Sequence, residues 1–184
     1  MLVEVRWHGR GGQGVVIVSR LLAYSALLEG KFVQSFPEFG PERGGAPILG
    51  FTRISDEPID VHSQIYNPDI VVVLDPTLLK TVNFTEGLTD NGKVILNSDK
   101  QAEDLRKEFR IENASLYVVD ARRIALDILG RPIYNTAMLG ALIKAAPLSS
   151  LDSVSKALYQ HFSKAMAEAN MKAVRRAHEE VGTR

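Results

Sequence analysis

The sequence predicts an α/β fold with a Rossmann-like, mainly parallel sheet flanked by helices and a helical C-terminal segment. Leu2–Trp7 alternates apolar and polar residues and leads through a glycine cluster into Val15–Leu28, where apolar residues recur at helical spacing. Short β-branched runs then alternate with helical segments, which is typical of βα units. The 184 residues match the usual size of one domain, about 100–200 residues, so residues 1–184 are expected to form a single domain.

The strands follow from runs of apolar and β-branched residues. Gly30 ends the first helix, and Lys31–Phe36 is predicted to be the second strand. Ile48–Ile54 and Ile59–His62 flank the turn Ser55–Pro58 and are expected to pair as a hairpin. Three continuous β-branched and apolar runs predict strands covered on both faces: Ile70–Leu74, Val94–Leu96 and Leu116–Val119.

Helices are expected after each of these runs and throughout the last third of the chain. Asp75 and Asn135 are predicted to cap the helices that follow them. The predicted helices are Pro76–Val82, Gln101–Phe109, Ala121–Leu129, Asn135–Ala145 and, beyond the turn at Pro147, Ser150 to about Val181. Apolar residues at i, i+4 spacing predict one packed stripe formed by Val154, Leu158, Phe162 and Met166.

Composition excludes several classes of function. The 22 basic and 22 acidic side chains leave no excess of positive charge for nucleic acid. Without cysteine the chain cannot hold a disulfide, a Cys-ligated zinc or an iron–sulfur cluster, and its scattered histidines predict no metal site. Met1–Arg6 lacks a signal-peptide pattern and no apolar run is long enough to span a bilayer, so we expect a cytoplasmic location without membrane contact.

The glycine loop between the first strand and the first helix predicts an anion site. It satisfies G-x-G-x-x-G, and N–H groups at a helix start attract phosphate. Nicotinamide binding is disfavoured, because Gln34–Phe36 stands where an acidic residue would bind the ribose and Glu29 precedes the second strand. The alternative is that the glycines serve only close helix–sheet packing. The candidate residues are Gly9, Arg10, Gly11, Gly12, Gln13 and Gly14.

A second loop, residues 37–47, contains three prolines and three glycines, so it is expected to lack regular structure. Its length is typical of functional loops. Glu38 and Glu42 carry carboxylates that could act as general acids or bases if buried, so Glu42 is kept as a candidate although no catalytic residue is assigned. The candidate residues of this loop are Phe39, Gly40, Pro41, Glu42, Arg43, Gly44 and Gly45.

The two loops together resemble the gamma subunit of pyruvate and related 2-oxoacid:ferredoxin oxidoreductases. The resemblance extends over nearly the whole chain, since Asn135–Gly140 is similar to a later N-x-x-x-L-G segment of that family. Arg43 is adjacent to Glu42, whereas the family places its arginine two residues after the glutamate. The motifs that carry the resemblance are Gly9-x-Gly11-Gly12-Gln13-Gly14 and Phe39-Gly40-Pro41-Glu42-x-Gly44-Gly45.

The resemblance implies that residues 1–184 are one pyruvate ferredoxin/flavodoxin oxidoreductase gamma-type catalytic domain, inactive alone. Complexes of this family convert a 2-oxoacid and coenzyme A into acyl-CoA, carbon dioxide and reduced ferredoxin. Pyruvate is the expected substrate, although nothing in the chain distinguishes it from related 2-oxoacids. Thiamine diphosphate, Mg²⁺ and [4Fe-4S] clusters are expected in the alpha, beta and delta partner subunits, with ferredoxin reached through the complex. No cofactor is expected on this chain alone.

Two roles remain open for the glycine loop: holding a coenzyme A phosphate, or pressing flat backbone against a partner subunit. The second loop is expected to shape access to the thiamine site or to form an interface. Arg10 and Arg43 are candidate partners for phosphate or carboxylate. His8 is expected to be a hydrogen-bonded structural residue, with a phosphate contact as the alternative. The rival function is a stand-alone nucleotide- or CoA-binding protein without catalysis.

Overall fold

The computed structural model describes residues 1–38 and 45–182. The strands in this part of the chain are β1 (Leu2–Arg10), β2 (Phe32–Pro37), β3 (Pro47–Ser55), β4 (Ile70–Val73), β5 (Lys93–Asn97) and β6 (Ser115–Val119). The α-helices are α1 (Val15–Leu27), α2 (Ala102–Phe109), α3 (Ala121–Leu129), α4 (Asn135–Ala145), α5 (Leu151–His161) and α6 (Lys164–Glu180).

The strands form one sheet in the order β2-β3-β1-β4-β5-β6. Neighbouring strands β1, β4, β5 and β6 run parallel, whereas β3 lies antiparallel to both β1 and β2. The predicted α/β fold with a mainly parallel sheet is therefore confirmed. From β1 the chain continues to β2 at one edge of the sheet, whereas from β4 it continues to β5, toward the opposite edge.

Helices cover both faces of the sheet. On one face, Val5 and Trp7 of β1 pack with residues of α1, α3, α4, α5 and α6. On the other, Val71 and Val73 of β4 pack with Leu105 of α2. The alternation of side chains along a strand thus divides the core in two. No helix in the described part of the chain is long and apolar enough to cross a membrane.

The predicted hairpin between Ile48–Ile54 and Ile59–His62 is wrong. β3 pairs with β1 and β2, and residues 59–62 form no strand. Instead, side chains hold this segment: Gln34 donates to the carbonyl oxygen of Ile59, and Arg53 donates to that of Val61. All nine residues of β3 pair with β1, and six of them, Gly50–Ser55, also pair with β2. Both edges of β3 are therefore occupied next to the turn, and the segment after Pro58 has no free edge to join.

Two of the predicted helices differ from their predictions. The predicted helix Pro76–Val82 is a 3₁₀ helix, Pro76–Lys80, and Asp75 caps it as predicted by accepting from the Thr77 N–H at 2.8 Å. Asn135 is not the cap of α4, because Tyr134 occupies that position. The Asn135 side chain instead donates to the carbonyl oxygen of Gly14, so it is used to join α4 to the glycine loop.

The predicted apolar stripe is interrupted. Val154 and Leu158 are buried on α5, but that helix ends at His161, and Phe162 is extended. A new helix begins at Lys164, which turns Met166 outward and leaves it 53% exposed. The predicted stripe assumes one continuous helix, but the chain breaks between α5 and α6. In the sequence, this break is marked only by Ser163, because serine is strongly preferred at helix N-caps.

Candidate functional site

The glycine loop lies at the point in the sheet where the strand order reverses. It follows β1, and Asp75 follows the neighbouring parallel strand β4. The chain leaves these two strands toward opposite sides of the sheet, and in open α/β sheets ligands bind in the crevice at the carboxyl ends of such strands. The topology therefore places the predicted loop at the position where this fold class forms its binding sites.

The glycines of the loop do different things. A Cβ atom at Gly9 would overlap the Val15 side chain of α1, and one at Gly14 would overlap the Asn135 side chain of α4. Gly12 is exposed and has a φ of +90°. A Cβ atom at this position would have no described atom within 4 Å. Close packing therefore explains Gly9 and Gly14, whereas at Gly12 the structure requires only the positive φ and leaves the backbone open to a ligand or a partner.

The start of α1 keeps its amide groups available. Gly14 stands at the N-cap without a side-chain cap. Of the described residues, none accepts a hydrogen bond from the N–H groups of Gly12, Val16 or Ile17. The first turn carries no acidic side chain that would offset the positive end of the helix dipole. This arrangement suits an oxygen-bearing anion.

Gln13 holds the loop in shape. Its Oε1 accepts from the Arg10 backbone N–H at 2.7 Å, and its Nε2 donates to Asp75 Oδ2 at 2.6 Å and to the Tyr134 hydroxyl at 3.1 Å. One amide side chain thus joins the loop to the end of β4 and to the start of α4. Because both its donor and its acceptor are used inside the protein, Gln13 positions the loop from within.

Asp75 is the common acceptor of this network. Its exposed fraction is 6%, and it accepts from Gln13 and from both the N–H and hydroxyl of Thr77. Burial alone raises the pKa of Asp75, but the hydrogen bonds from Thr77 and Gln13 and the positive charge of Arg10 outweigh it, so the net pKa is lowered. The carboxylate stays ionised and fixes the donors around it.

Arg10 connects the two glycine-rich loops. Its guanidinium contacts Asp75 at 3.3 Å, donates to the Thr77 hydroxyl at 2.8 Å, and donates from Nη1 to the Gly45 carbonyl oxygen at 3.1 Å. Next to it, the Gly11 N–H donates to the carbonyl oxygen of Ala46 at 2.9 Å. The structure therefore brings the end of the second loop against the first.

The remaining predicted residues of the second loop lie outside the described residues, and for them the sequence-based prediction stands unchanged. They are Phe39, Gly40, Pro41, Glu42, Arg43 and Gly44. Gly45 is exposed and has a φ of +83°. Within residues 1–38 and 45–182, no three His, Asp or Glu side chains gather as a metal site requires.

Sequence reasoning missed Asp75, Thr77 and Tyr134 as members of the site. Asp75 was expected only to cap a helix, and the other two were not considered. A signal existed for Asp75, because it directly follows the predicted buried strand Ile70–Leu74, which runs parallel to β1 and ends at the same sheet edge as the glycine loop. The role of Tyr134 depends on α4 folding back over the loop, which no local pattern encodes.

Comparisons with known proteins agree with this architecture. A family model described as pyruvate ferredoxin/flavodoxin oxidoreductase matches residues 4–180. The "Pyruvate/ketoisovalerate oxidoreductases common subunit gamma" of Thermococcus kodakarensis is 52% identical over 96% of this chain and 95% of the relative. The "Pyruvate synthase subunit PorC" of Methanocaldococcus jannaschii is 46% identical over 98% of this chain and 97% of the relative.

A solved structure shows the same fold. The crystal structure of pyruvate oxidoreductase subunit PORC from Thermotoga maritima superposes with a TM-score of 0.89 at 43% identity, covering 98% of this chain and 97% of the other. The match covers nearly all of both chains, so the two share the architecture described above.

Proposed function

Since the chain belongs to the pyruvate ferredoxin/flavodoxin oxidoreductase family, we propose that it is the gamma subunit of a 2-oxoacid:ferredoxin oxidoreductase whose 2-oxoacid is pyruvate. In the proposed reaction pyruvate and coenzyme A yield acetyl-CoA and carbon dioxide, and two electrons reduce ferredoxin. The observation that carries the proposal is the junction of Arg10–Gly11 with Gly45–Ala46, which joins both motifs at one sheet edge.

Partner subunits supply the redox chemistry in this proposal. The chain has no cysteine, so [4Fe-4S] clusters are assigned to the alpha, beta or delta subunits, together with thiamine diphosphate and Mg²⁺. Those groups activate the 2-oxoacid and carry electrons to ferredoxin when bound.

The part we assign to this chain is to receive coenzyme A. The open backbone at Gly12 and the available N–H groups of Val16 and Ile17 fit a phosphate oxygen. Arg10 adds a positive charge whose side chain is 29% exposed and held in place by Asp75. The alternative role, in which the loop backbone packs against a partner subunit, also depends on the open backbone at Gly12, so an experiment is needed to distinguish the two roles.

The test is the substitution Gly12→Val in the reconstituted complex. A Cβ atom at this position has no described atom within 4 Å, so the substitution changes the outer surface of the loop and adds the strain of a positive φ. If the loop holds coenzyme A, the KM for coenzyme A rises about tenfold while assembly is retained, the equivalent of about 1.4 kcal/mol. The control is Gly30→Val, which has the same kind of φ and open surroundings but lies at the other end of α1.

The outcomes separate the proposals. Loss of co-purifying subunits with an unchanged KM for coenzyme A assigns the loop to the interface instead. Titration calorimetry of the isolated chain tests the rival function, because tight binding of coenzyme A or a dinucleotide without partners favours a stand-alone binding protein. Activity of the complex toward pyruvate and ketoisovalerate, the two substrates in the name of the Thermococcus relative, decides the 2-oxoacid.

A further inference from the structure

The two edges of the sheet differ in how they are covered. At the β6 edge, the Val118 N–H donates to the Gly182 carbonyl oxygen at 2.9 Å, and the Gly182 N–H donates to that of Val118 at 3.2 Å. The segment after α6 therefore pairs with this edge. At the other edge, β2 pairs with β3, and no strand of residues 1–38 and 45–182 lies beyond it. An unpaired edge strand is a template for another strand.

The hydrogen bonds between β2 and β3 determine which backbone groups of β2 point outward. The Glu38 N–H donates to the Leu49 carbonyl oxygen at 3.0 Å, so these two residues form a hydrogen-bonded pair of the antiparallel ladder. Such pairs alternate along the strands, and the N–H and C=O groups of Val33 and Ser35 therefore point away from β3. Among the residues that the structure describes, none bonds to these four groups. Pro37 also faces outward but has no N–H.

The outer edge of β2 lacks the charged side chains that usually keep an edge strand unpaired. Phe32–Pro37 contains no Asp, Glu, Lys or Arg. Phe32 is 45% exposed. A cleft of about 640 Å³ lies along the same strand, and Phe36, His62 and Gln64 are among the residues that line it. An exposed aromatic side chain and a neighbouring cleft on an uncharged edge indicate a docking surface.

This edge is complementary to itself. In an antiparallel pair of two β2 strands with Val33 opposite Ser35 of the second copy, the outward groups of both residues form four hydrogen bonds. The same register places Phe32 of each copy opposite Phe36 of the other, on one face of the sheet. These are non-hydrogen-bonded pairs, in which side chains approach most closely. A shift of the register by two residues in either direction loses both aromatic pairs, so the favoured occupant of the edge is a second copy in this register.

We propose that two copies of this chain associate through β2, which pairs antiparallel with β2 of the second copy about a two-fold axis at Gln34. The two sheets then form one continuous sheet. Both β1 and β2 run antiparallel to β3, so the glycine loops of the two copies lie at opposite ends of the joined strands. Self-association does not require any particular reaction, so its test is independent of the proposed function.

The absence of cysteine from the chain allows a disulfide test of the register. In Gln34→Cys, the two thiols face each other across the axis with Cα atoms about 4.5 Å apart, within the range of a disulfide. Mild oxidation of the full chain is expected to give a covalent dimer on non-reducing denaturing electrophoresis. Phe32→Cys is the matched control on the same strand and face. Its Cα atoms would lie about 14 Å apart, so it should remain monomeric.

Sedimentation velocity of the full chain without cysteine measures the association itself. A single strand pair is a small interface, so reversible dimers are expected with a Kd in the micromolar range. Phe32→Ser removes both aromatic pairs and should raise the Kd about a hundredfold, or about tenfold for each pair. The control is Ile133→Ser between α3 and α4, where the side chain is similarly exposed, at 47%, and the Kd should not change.

Several results would overturn the proposal. One is a chain that sediments as a monomer at about 100 μM, far above a micromolar Kd. Another is a dimer that Phe32→Ser leaves unchanged. Cross-linking of Phe32→Cys as readily as Gln34→Cys, or a Gln34→Cys dimer that forms no disulfide, would refute the register. In a complex purified with the chain, a Gln34→Cys thiol that links only to a different protein would assign the edge to that partner instead.

Discussion

Asp75→Asn is expected to loosen the glycine loop while leaving the 3₁₀ helix capped. The substitution keeps Oδ1, which accepts from the Thr77 N–H and hydroxyl. It replaces Oδ2 with an amide nitrogen that faces two donors, Gln13 Nε2 at 2.6 Å and Arg10 Nε at 3.3 Å. Two contacts between donor and acceptor therefore become contacts between donors.

The size of the effect follows from those two contacts. A hydrogen bond to a buried charged group contributes about 1.5–3 kcal/mol. The Gln13 bond is expected to contribute its full free energy because Asp75 is buried, whereas the Arg10 contact contributes less because the Arg10 side chain is partly exposed. We therefore expect the free energy of unfolding to fall by about 2–4 kcal/mol.

Urea denaturation at pH 7 measures this change, with Asp120→Asn as the control. Asp120 also follows a strand, β6, and caps a helix by accepting from the Arg123 N–H at 2.9 Å. It has no contact with the glycine loop, and Asn caps as well as Asp, so the control should lose less than about 0.5 kcal/mol. Equal losses in the two variants would refute the assignment of Asp75 as the anchor of the loop.

The same prediction has a pH dependence with a fixed sign. The pKa of Asp75 is lowered in the folded protein, so its contribution is present above the unfolded pKa of about 3.9 and is lost as the pH falls through the folded value. The difference in unfolding free energy between the native chain and Asp75→Asn should be constant from pH 5 to 8. It should shrink below about pH 4. A difference that persists unchanged at pH 2 would contradict this account.

Two further predictions concern the packing of the helices. Gly140→Ala is expected to cost about 2 kcal/mol or more in urea denaturation, because a Cβ would overlap the Val174 carbonyl group; a loss below about 0.5 kcal/mol would show that α4 and α6 separate easily. Bonds from Ser150 and Ser149 offset the effect of burial and lower the pKa of Glu29 to about 2, so its stabilisation is present above about pH 4 and lost toward pH 2. Urea midpoints should therefore fall less from pH 6 to pH 2.5 in Glu29→Gln than in the native chain, and parallel curves would contradict the contact.

Local patterns predicted the parts of the fold that depend on local physics. The run Ile70–Leu74 predicted a buried strand because only a strand covered on both faces tolerates such continuous apolar character, and Asp75 before Pro76 predicted a helix start. The insertion of β3 between β1 and β2 depends on a long-range choice of partner. For that reason the predicted pairing with Ile59–His62 failed.

The site divides in the same way. The glycine loop was predicted because its residues are consecutive, whereas the Gln13–Asp75–Tyr134 network joins three distant parts of the chain. The burial of Arg6 was not predicted, because a polar residue on an alternating strand is normally expected to face solvent. Its burial results from the segment containing Phe84 and Glu86, which closes over that face of the sheet.

The strand that leads into the glycine loop, β1, lies in the interior of the sheet between β3 and β4. β1 forms hydrogen bonds to β3 along nearly its whole length and to β4 at its centre, so its amide hydrogens are shielded on both sides. Such amides exchange with solvent deuterium only when the whole domain opens, whereas those of the edge strands β2 and β6 exchange through smaller fluctuations. The glycine loop therefore begins at the end of an interior strand, whose central amides are expected to exchange more slowly than those of the two edge strands.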